Sequence, residues 1–197
     1  MISTKPRPRK CRVCGDLYIR LRPMQVTCLS FRCQQEYALA HLEKVKAKEA
    51  KARRKDTKIK LDAIKTLPQL KTDAQKAFNA FIRMRDLIAG HACICCGIEF
   101  GKQTYGGAVD CGHYRSVGSA PHLRFKENNA HAQLKSCNRF GSGRAVDYRL
   151  GLITRIGLEA VEALEADNTP RRYTKDELRA LAALYRAKLK ALTKANQ

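Results

Sequence analysis

The apolar positions predict one helix in the middle of the chain, between residues 72 and 90. Thr72-x-x-Gln75 has the form of a capping box, and Gly90 follows the last apolar position as a stop signal. Pro68, just upstream, is expected to end a preceding helix. The apolar residues that share one face of the predicted helix are Ala74, Phe78, Phe81, Ile82 and Leu87. We expect these side chains to lie in the core.

Helical patterns return near the C-terminus. The first begins at Ala145, stops at Gly157 and resumes behind it, and a final helix opens with the capping box Thr174-x-x-Glu177. We expect these helices to pack on the core and to carry no chemistry of their own. Their apolar positions are Val146, Leu150, Ile153, Ile156, Val161 and Leu164, and then Leu178, Leu181, Leu184, Tyr185, Leu189 and Leu192.

Residues 34–70 are predicted to form a basic helix with its linker. Between residues 34 and 66 there is neither Pro nor Gly, and helix-favouring residues dominate. Nine basic residues against two acidic ones lie between Lys44 and Lys60. Such a run is often only a solvated helix face, but its density and single sign favour contact with phosphates. The predicted phosphate contacts in this helix are Lys44, Lys46, Lys48, Lys51, Arg53, Arg54, Lys55 and Lys58.

Cysteines mark the segment before this helix. Cys11-x2-Cys14 and Cys28-x4-Cys33 predict a zinc-ribbon-like module over residues 11–33, in which a tetrahedral thiolate site replaces a core that the segment is too short to build. The alternative is four unligated thiols in a loop. Residues 1–10 form a basic arm in front of the module.

Residues 91–144 have little helical pattern but contain five cysteines and four of the five histidines. We expect a metal or a tight β-hairpin to organise them, because burial alone is insufficient. Cys93-x2-Cys96-Gly97 is typical of a metal-binding knuckle. The stretch from Tyr105 to Tyr114 predicts a hairpin, which would carry two polar residues of interest near its end, Asp110 and His113.

The net charge of the chain limits the classes of partner that it can bind. The chain has 39 Lys and Arg against 18 Asp and Glu, a net charge of +21, which points to a polyanionic partner. Nucleic acid is favoured over a membrane surface, because the basic stretches lack an apolar anchoring face. With neither a signal peptide nor a long apolar run, we expect a soluble, cytosolic protein. In a reducing compartment, nine cysteines favour metal ligands over disulfides.

Residues 78–161 contain a series of short motifs in a fixed order. They are FNAFIRMRD (78–86), CxxCG (93–97), D-x-GHY (110–114), LRFxExNxH (123–131), CN (137–138), GSG (141–143), YR (148–149) and LIxxIGxxxV (152–161). Together they resemble the NinG, or Rap, proteins of lambda-like phages. The N-terminal cysteine module with its basic helix also matches, so the similarity spans most of the chain. It implies an α+β protein: a zinc-supported HNH (ββα-metal) nuclease domain over residues 71–197 that acts on branched recombination DNA, including Holliday junctions and D-loops, in the bacterial host cytoplasm.

Phosphodiester hydrolysis requires an activated water and a cation that neutralises charge on the phosphate. His113 is the predicted general base, because a neutral imidazole can take a proton near neutral pH. Asp110 and Asn138 would bind Mg²⁺ or Mn²⁺ through oxygen ligands. The alternative for His113 is a structural residue in a turn. His131 has three alternatives: orientation of the base, contact with phosphate, or a packed ring bonded to the backbone.

Two positions depart from the family pattern. Leu134 stands where a second CxxC would begin, which leaves Cys93, Cys96 and Cys137 as three zinc ligands. We expect Cys111 to be the fourth, since Cys95 directly adjoins Cys96; the alternative is an apolar core around Leu134 without zinc. Arg144 replaces an Asn and either contacts phosphate or weakens catalysis. The predicted DNA contacts outside the basic helix are Arg115 and Arg144.

Two functions of different classes follow. One is a metal-dependent, structure-selective DNA endonuclease, and the other is a non-catalytic protein that binds branched DNA on a degenerate HNH scaffold. The presence of Asp110, His113 and Asn138 favours the enzyme. A homodimer through the alanine-rich basic helix is a further hypothesis, which symmetric nicking of a junction would support.

Overall fold

The computed structural model describes residues 7–101, 107–141 and 143–196, and the chain divides into two compact units. The first unit is Met1–Ile64 and the second is Lys65–Gln197. The architecture is mixed and dominated by helices, with two small antiparallel sheets. Among the described residues, no helix combines the length and apolar character that crossing a membrane requires.

The first unit consists of a small ribbon and one long helix. Strands β1 (Arg9–Lys10) and β2 (Leu17–Tyr18) pair antiparallel, and helix α1 follows at Phe31–Ala63. Cys33 is the buried residue of α1. The eight side chains of this helix that are predicted to contact phosphates are all exposed. The predicted long helix is therefore confirmed. Of the predicted basic arm, residues 1–6 lie outside the described part of the chain.

The second unit begins with helix α2 (Leu67–Ile88), which starts earlier than predicted. Its capping box is Thr66-x-x-Gln69, and Pro68 lies in its first turn, so the prediction that Pro68 ends a helix and Thr72 caps the next was wrong. A first-turn proline has no hydrogen bond to lose, because the amides there have no partner inside the helix. Thr72 instead donates its hydroxyl hydrogen to the Pro68 carbonyl within the helix.

Helix α2 packs against the final helix, α5 (Lys175–Ala195), to form the main core. Phe78 lies edge-on to Tyr185 with 4.9 Å between the ring centroids. The Thr174–Glu177 capping box of α5 is present as predicted. The buried members of this core are Leu70, Ala74, Ala77, Phe78, Phe81, Ile82, Cys111, Phe125, Ala130, Leu178, Ala182 and Tyr185.

The sheet of the second unit pairs distant segments. Strand β3 (Val109–His113) runs antiparallel to β4 (Ala130–Leu134), and two 3-10 turns lie between them. The predicted hairpin ending at Tyr114 was wrong in its pairing, and its residues 105 and 106 lie outside the described part. Successive strand side chains point to opposite faces, so Asp110 and His113 lie on opposite faces of β3.

Helices α3 (Ala145–Ile156) and α4 (Leu158–Ala166) meet at Gly157, which has a φ of +85° and breaks the helix as predicted. They enclose a smaller second core. Val146 and Leu150 do not pack as predicted, because they are 77% and 61% exposed. The buried members of the second core are Ile94, Ala120, Leu123, Tyr148, Leu152, Val161 and Leu164.

A fully buried carboxylate links three elements of this unit. Asp86 on α2 accepts hydrogen bonds from the Ala132 amide at 2.7 Å and from Arg85 Nε at 2.7 Å. Arg155 Nη1 on α3 lies 3.3 Å from the same carboxylate. Burial alone would raise the pKa of Asp86, but these partners lower it, so the group stays ionised. The ion network fixes α2, α3 and β4 together.

We expect Gly151→Ala to destabilise the second unit. A Cβ at Gly151 would lie 1.8 Å from the Ile94 carbonyl oxygen, so α3 must move away from the segment that carries Cys93. Overpacking of this kind costs about 1–3 kcal/mol, which urea denaturation would measure as a lower midpoint. Gly118→Ala is the control, because its nearest neighbour would be Ser116 Oγ at 3.8 Å. Equal midpoints for the two variants would contradict this packing.

Candidate active site and metal centres

The first unit contains one cluster of four cysteines, which we call the first cysteine cluster: Cys11, Cys14, Cys28 and Cys33. All four sulfur atoms lie within 4.8 Å of one another, and 3.9 Å separates those of Cys14 and Cys28. A tetrahedral zinc with Zn–S bonds of about 2.3 Å places its sulfurs roughly 3.8 Å apart. The predicted ligands are therefore brought together in a geometry that suits structural zinc.

The second cysteine cluster comprises Cys93, Cys95, Cys96 and Cys137, again with all sulfurs within 4.8 Å. The Leu134 amide donates to Cys93 Sγ at 3.2 Å. Burial would raise the pKa of the Cys93 thiol, but this bond and those from the amides of Cys95 and Cys96 lower it overall. A stabilised thiolate is the form that binds zinc.

The prediction of Cys111 as the fourth ligand was wrong. Cys111 lies in the main core, where burial raises the pKa of its thiol to about 12. Strand alternation directs its side chain to the face opposite Asp110. Cys95 takes the fourth place instead, within the turn that Gly97 closes with a φ of +69°. The Leu134 amide donates to Cys93 Sγ, and the four thiols that lie together favour zinc over the alternative of an apolar core around Leu134 without zinc.

His113 ends β3 with a defined hydrogen bond. Its Nε2 lies 3.1 Å from the Arg124 carbonyl oxygen, and its ring lies 5.9 Å from that of Phe78. A carbonyl oxygen only accepts, so Nε2 carries the hydrogen and Nδ1 keeps the lone pair in the neutral ring. Burial lowers the pKa of His113 and so favours the neutral form, although hydrogen bonds to the backbone of Arg124 and of Cys111 act to raise it. A neutral imidazole with a defined tautomer can act as a base.

A polar cavity of about 820 Å³, which we call the His113 cavity, adjoins this ring. Side chains of α2 and α3, the end of β3 and the following loop surround it. Asn138 also lines it, so two of the three predicted catalytic residues share one space. The lining residues that matter below are His113, Asn138, Tyr114, Arg124 and Glu165.

Asp110 contacts Asn138 but lies on the other face of β3 from His113. Its carboxylate accepts from Arg139 Nε at 2.8 Å and from Asn138 Nδ2 at 3.1 Å. Burial would raise the pKa of Asp110, but Arg139 and Asn138 lower it. The carboxylate and amide oxygens are hard ligands that suit Mg²⁺ or Mn²⁺. A cation would have to replace Arg139 as the partner of Asp110.

His131 belongs to the buried ion network and not to the His113 cavity. Its Nδ1 lies 3.0 Å from Arg85 Nη2, 3.2 Å from Arg155 Nη1 and 3.3 Å from Asp86 Oδ2. The structure favours the packed-ring alternative, although its partners are side chains and not the backbone. Burial lowers the pKa of His131 against the opposing effect of Asp86.

The two arginines predicted to contact DNA outside α1 have protein partners. Arg115 Nη1 donates to the carbonyls of Leu164 and Asp167 at 3.0 and 2.5 Å, so its cation caps the end of α4. Arg144 Nε donates to Asp147 at 2.8 Å, and its Nη1 lies 4.0 Å from Cys137 Sγ. Their contact with DNA stays a prediction.

Sequence reasoning missed polar residues around the His113 cavity. The Tyr114 hydroxyl donates to Glu165, whose carboxylate also accepts from Arg149 Nε at 2.7 Å. The Arg149 and Tyr114 hydrogen bonds lower the pKa of Glu165 to about 2. Asn129 holds the chain after β3 by bonding both the amide and the carbonyl of Arg115. Asn129 lies in the LRFxExNxH motif, which was the available signal.

We predict two zinc ions per full-length chain, measured by metal mass spectrometry. Cys95→Ser should leave about one, because it removes a ligand from the second cysteine cluster. Cys111→Ser should retain both, because its thiol lies in the main core. Loss of zinc from the Cys111 variant together with full retention in the Cys95 variant would refute the assignment.

Comparison with known proteins identifies the family of the chain. The family model described as "NinG: Bacteriophage Lambda NinG protein" matches residues 3–196. Protein ninG of Escherichia phage 933W is 38% identical over 199 residues, covering 95% of each chain. Protein ninG of Salmonella phage P22 is 44% identical over 135 residues, covering 68% of this chain and 63% of the relative. No solved structure matches significantly. The chain belongs to the NinG family of bacteriophage proteins.

Proposed function

We propose that this protein is a metal-dependent endonuclease that hydrolyses phosphodiester bonds in branched DNA such as Holliday junctions and D-loops, in the host cytoplasm. The observation that carries the proposal is His113: Nε2 is engaged by the Arg124 carbonyl, while the ring lines a polar cavity shared with Asn138. A general base needs this combination of defined tautomer and access to a substrate water.

The surrounding fold supports an HNH, or ββα-metal, arrangement. Two antiparallel strands, β3 and β4, are followed by a short helical turn at Ser136–Phe140, which carries Asn138. Cys137 in that turn belongs to the second cysteine cluster, so structural zinc would brace the turn against the knuckle at Cys93. The catalytic side chains are thereby held by a metal-stabilised scaffold.

In the proposed mechanism, His113 Nδ1 takes a proton from a water in the His113 cavity as that water attacks phosphorus. The P–O bond to the leaving 3′ oxygen breaks, and that oxygen takes a proton from solvent. The Arg124 carbonyl stabilises the imidazolium that forms, because it accepts the Nε2 hydrogen throughout. Asp110 and Asn138 would hold a Mg²⁺ or Mn²⁺ ion, which supplies neutralisation of charge on the phosphate and the leaving oxygen. Arg139, once displaced from Asp110, remains available as a cation for a phosphate.

Affinity for DNA is proposed to come largely from α1. Residues 1–64 contain 17 basic and 6 acidic residues, against 22 and 12 in residues 65–197. The exposed lysines and arginines of α1 can approach phosphates and release their counterions, whatever the base sequence. A homodimer through the alanine-rich face of α1 remains a hypothesis.

A second candidate is non-catalytic binding of branched DNA. The salt bridge between Arg139 and Asp110 favours it, since it neutralises the only predicted carboxylate ligand of the catalytic cation. Arg144 adds to this, because a guanidinium cannot bind a cation. Both candidate functions require binding of branched DNA, so a cleavage assay distinguishes them.

We expect the wild-type protein to cleave a synthetic four-way junction with Mg²⁺ and not with EDTA. His113→Ala should lower the cleavage rate by about 10²- to 10⁴-fold, because it removes the base, while junction affinity changes by only a few-fold. His91→Ala, at an exposed position, is the matched control and should cleave normally.

Two results would count against the assignment. Loss of junction affinity in His113→Ala would show that the ring is structural. Junction binding by the wild type without cleavage under Mg²⁺ or Mn²⁺ would favour the non-catalytic candidate.

The role of α1 is tested by the salt dependence of DNA binding. Replacing Lys51, Arg53, Arg54 and Lys55 together with Gln should lower the log–log slope by roughly 0.9 for each phosphate contact removed. The control replaces four charges of α5 with Gln: Lys175, Arg186, Lys190 and Lys194. Equal slopes for wild type and the α1 variant would show that α1 is only a solvated face.

A further inference from the structure

The turn at Ser136–Phe140 has a rare π-helical geometry and is firmly held. At its centre Cys137 joins the second cysteine cluster. At its end the Gly141 amide donates to the Ser136 carbonyl at 3.0 Å. A Cβ on Gly141 would lie 2.9 Å from the Cys137 carbonyl oxygen, so the turn closes too tightly for a side chain there. The direction of the next residue back, Phe140, is therefore well defined.

Phe140 presents its ring to solvent from this turn. The side chain is 85% exposed, whereas Phe78, Phe81 and Phe125 of the same unit are buried. A single exposed apolar residue is ordinary on a surface. Phe140 differs because Asn138, two residues earlier, lines the His113 cavity, and Arg139, between them, binds Asp110. The ring stands beside the proposed catalytic residues.

Charge indicates what covers the ring. Lys135 and Arg139 lie within five residues of it, and the Arg144 side chain approaches Gly141 directly behind it. An aromatic face among cations suits a nucleic acid, because the cations meet phosphates while the ring stacks on a base. Arg139 and Arg144 each bind one carboxylate, Asp110 and Asp147. A guanidinium has five N–H donors, so both side chains keep donors for a phosphate, which an apolar protein partner does not offer.

We propose that Phe140 stacks on a base exposed at the branch point of DNA, and so contributes selectivity for branched over continuous duplex. The inference rests on the proposed function. It adds that the feature of branched DNA that the protein recognises is an exposed base face. Bases inside a continuous duplex are covered on both faces by their neighbours, whereas a branch point offers open faces. Stacking accepts any base, so this selectivity is independent of sequence.

Because the chain contains no tryptophan, Phe140→Trp gives the full-length protein a single fluorescent reporter at this position. Without added Mg²⁺ or Mn²⁺, which prevents cleavage and leaves the structural zinc in place, we expect a four-way junction to quench its emission strongly and a linear duplex of the same length to quench it weakly. Leu184→Trp, on α5 and 47% exposed, is the matched control and should respond to neither.

Affinity provides the second readout. Phe140→Ala should weaken junction binding by about tenfold, within the range measured for stacked aromatic residues, and leave duplex binding within twofold. Phe140→Trp should bind like wild type, whereas Phe140→Leu should behave like Ala, because it is apolar but cannot stack. Unchanged zinc content and circular dichroism confirm that the variants fold.

Three results would overturn the proposal. If Phe140→Ala binds the junction as tightly as wild type, and the junction does not quench Phe140→Trp, then Phe140 does not stack on a base. DNA binding by the protein would be unaffected by that result. Quenching that depends on protein concentration without DNA would show that a second copy covers the ring. Absence of junction binding by the wild type would refute the proposed function itself, and the stacking role with it.

Discussion

The arrangement of the second unit depends on the buried carboxylate of Asp86. An uncompensated charge in a protein interior costs several kcal/mol, so this group requires its partners, Arg85, Arg155 and the Ala132 amide. Those partners come from α2, α3 and β4, which are far apart in sequence. The hydrogen bond from the Ala132 amide matters most for function, because it fixes the position of β4 along α2. Because β3 pairs with β4, the position of β4 determines that of β3. The position of His113, at the end of β3, is thereby determined too.

The second cysteine cluster acts on the same strand from its other end. The Leu134 amide at the end of β4 bonds Cys93, and Cys137 lies three residues further along the chain. Asp86 and the cysteines thus hold the strand and the following turn at two points. This explains how residues 91–144, which have little helical pattern, can form a defined site. Zinc would contribute the stability that burial does not provide there.

Much of the fold could be predicted from the sequence, because helix periodicity and capping depend on neighbouring residues. The pairing of β3 with β4 could not, since it joins segments separated by two irregular turns. The prediction of Cys111 as a zinc ligand was wrong for the same reason. Its spacing in the sequence suggests that it lies near the other cysteines, but only its position in strand β3 shows that its thiol faces the core. The adjacency of Cys95 and Cys96 predicts that only one of them binds an ion, yet the turn at Gly97 brings both thiols into one cluster. The motifs predict His113, Asp110 and Asn138 as site residues, but they do not predict that Asp110 and His113 lie on opposite faces of β3.

That division places a constraint on the proposed chemistry. Asn138 bonds Asp110 and also lines the His113 cavity, so it is the connection between the two faces. Arg139 neutralises Asp110 in the structure described, and a cation cannot share the carboxylate with a guanidinium at 2.8 Å without strong repulsion. A phosphate near the turn offers Arg139 a new partner and releases Asp110. Under the proposed function, DNA binding and cation binding therefore favour each other, because one salt bridge must break for both.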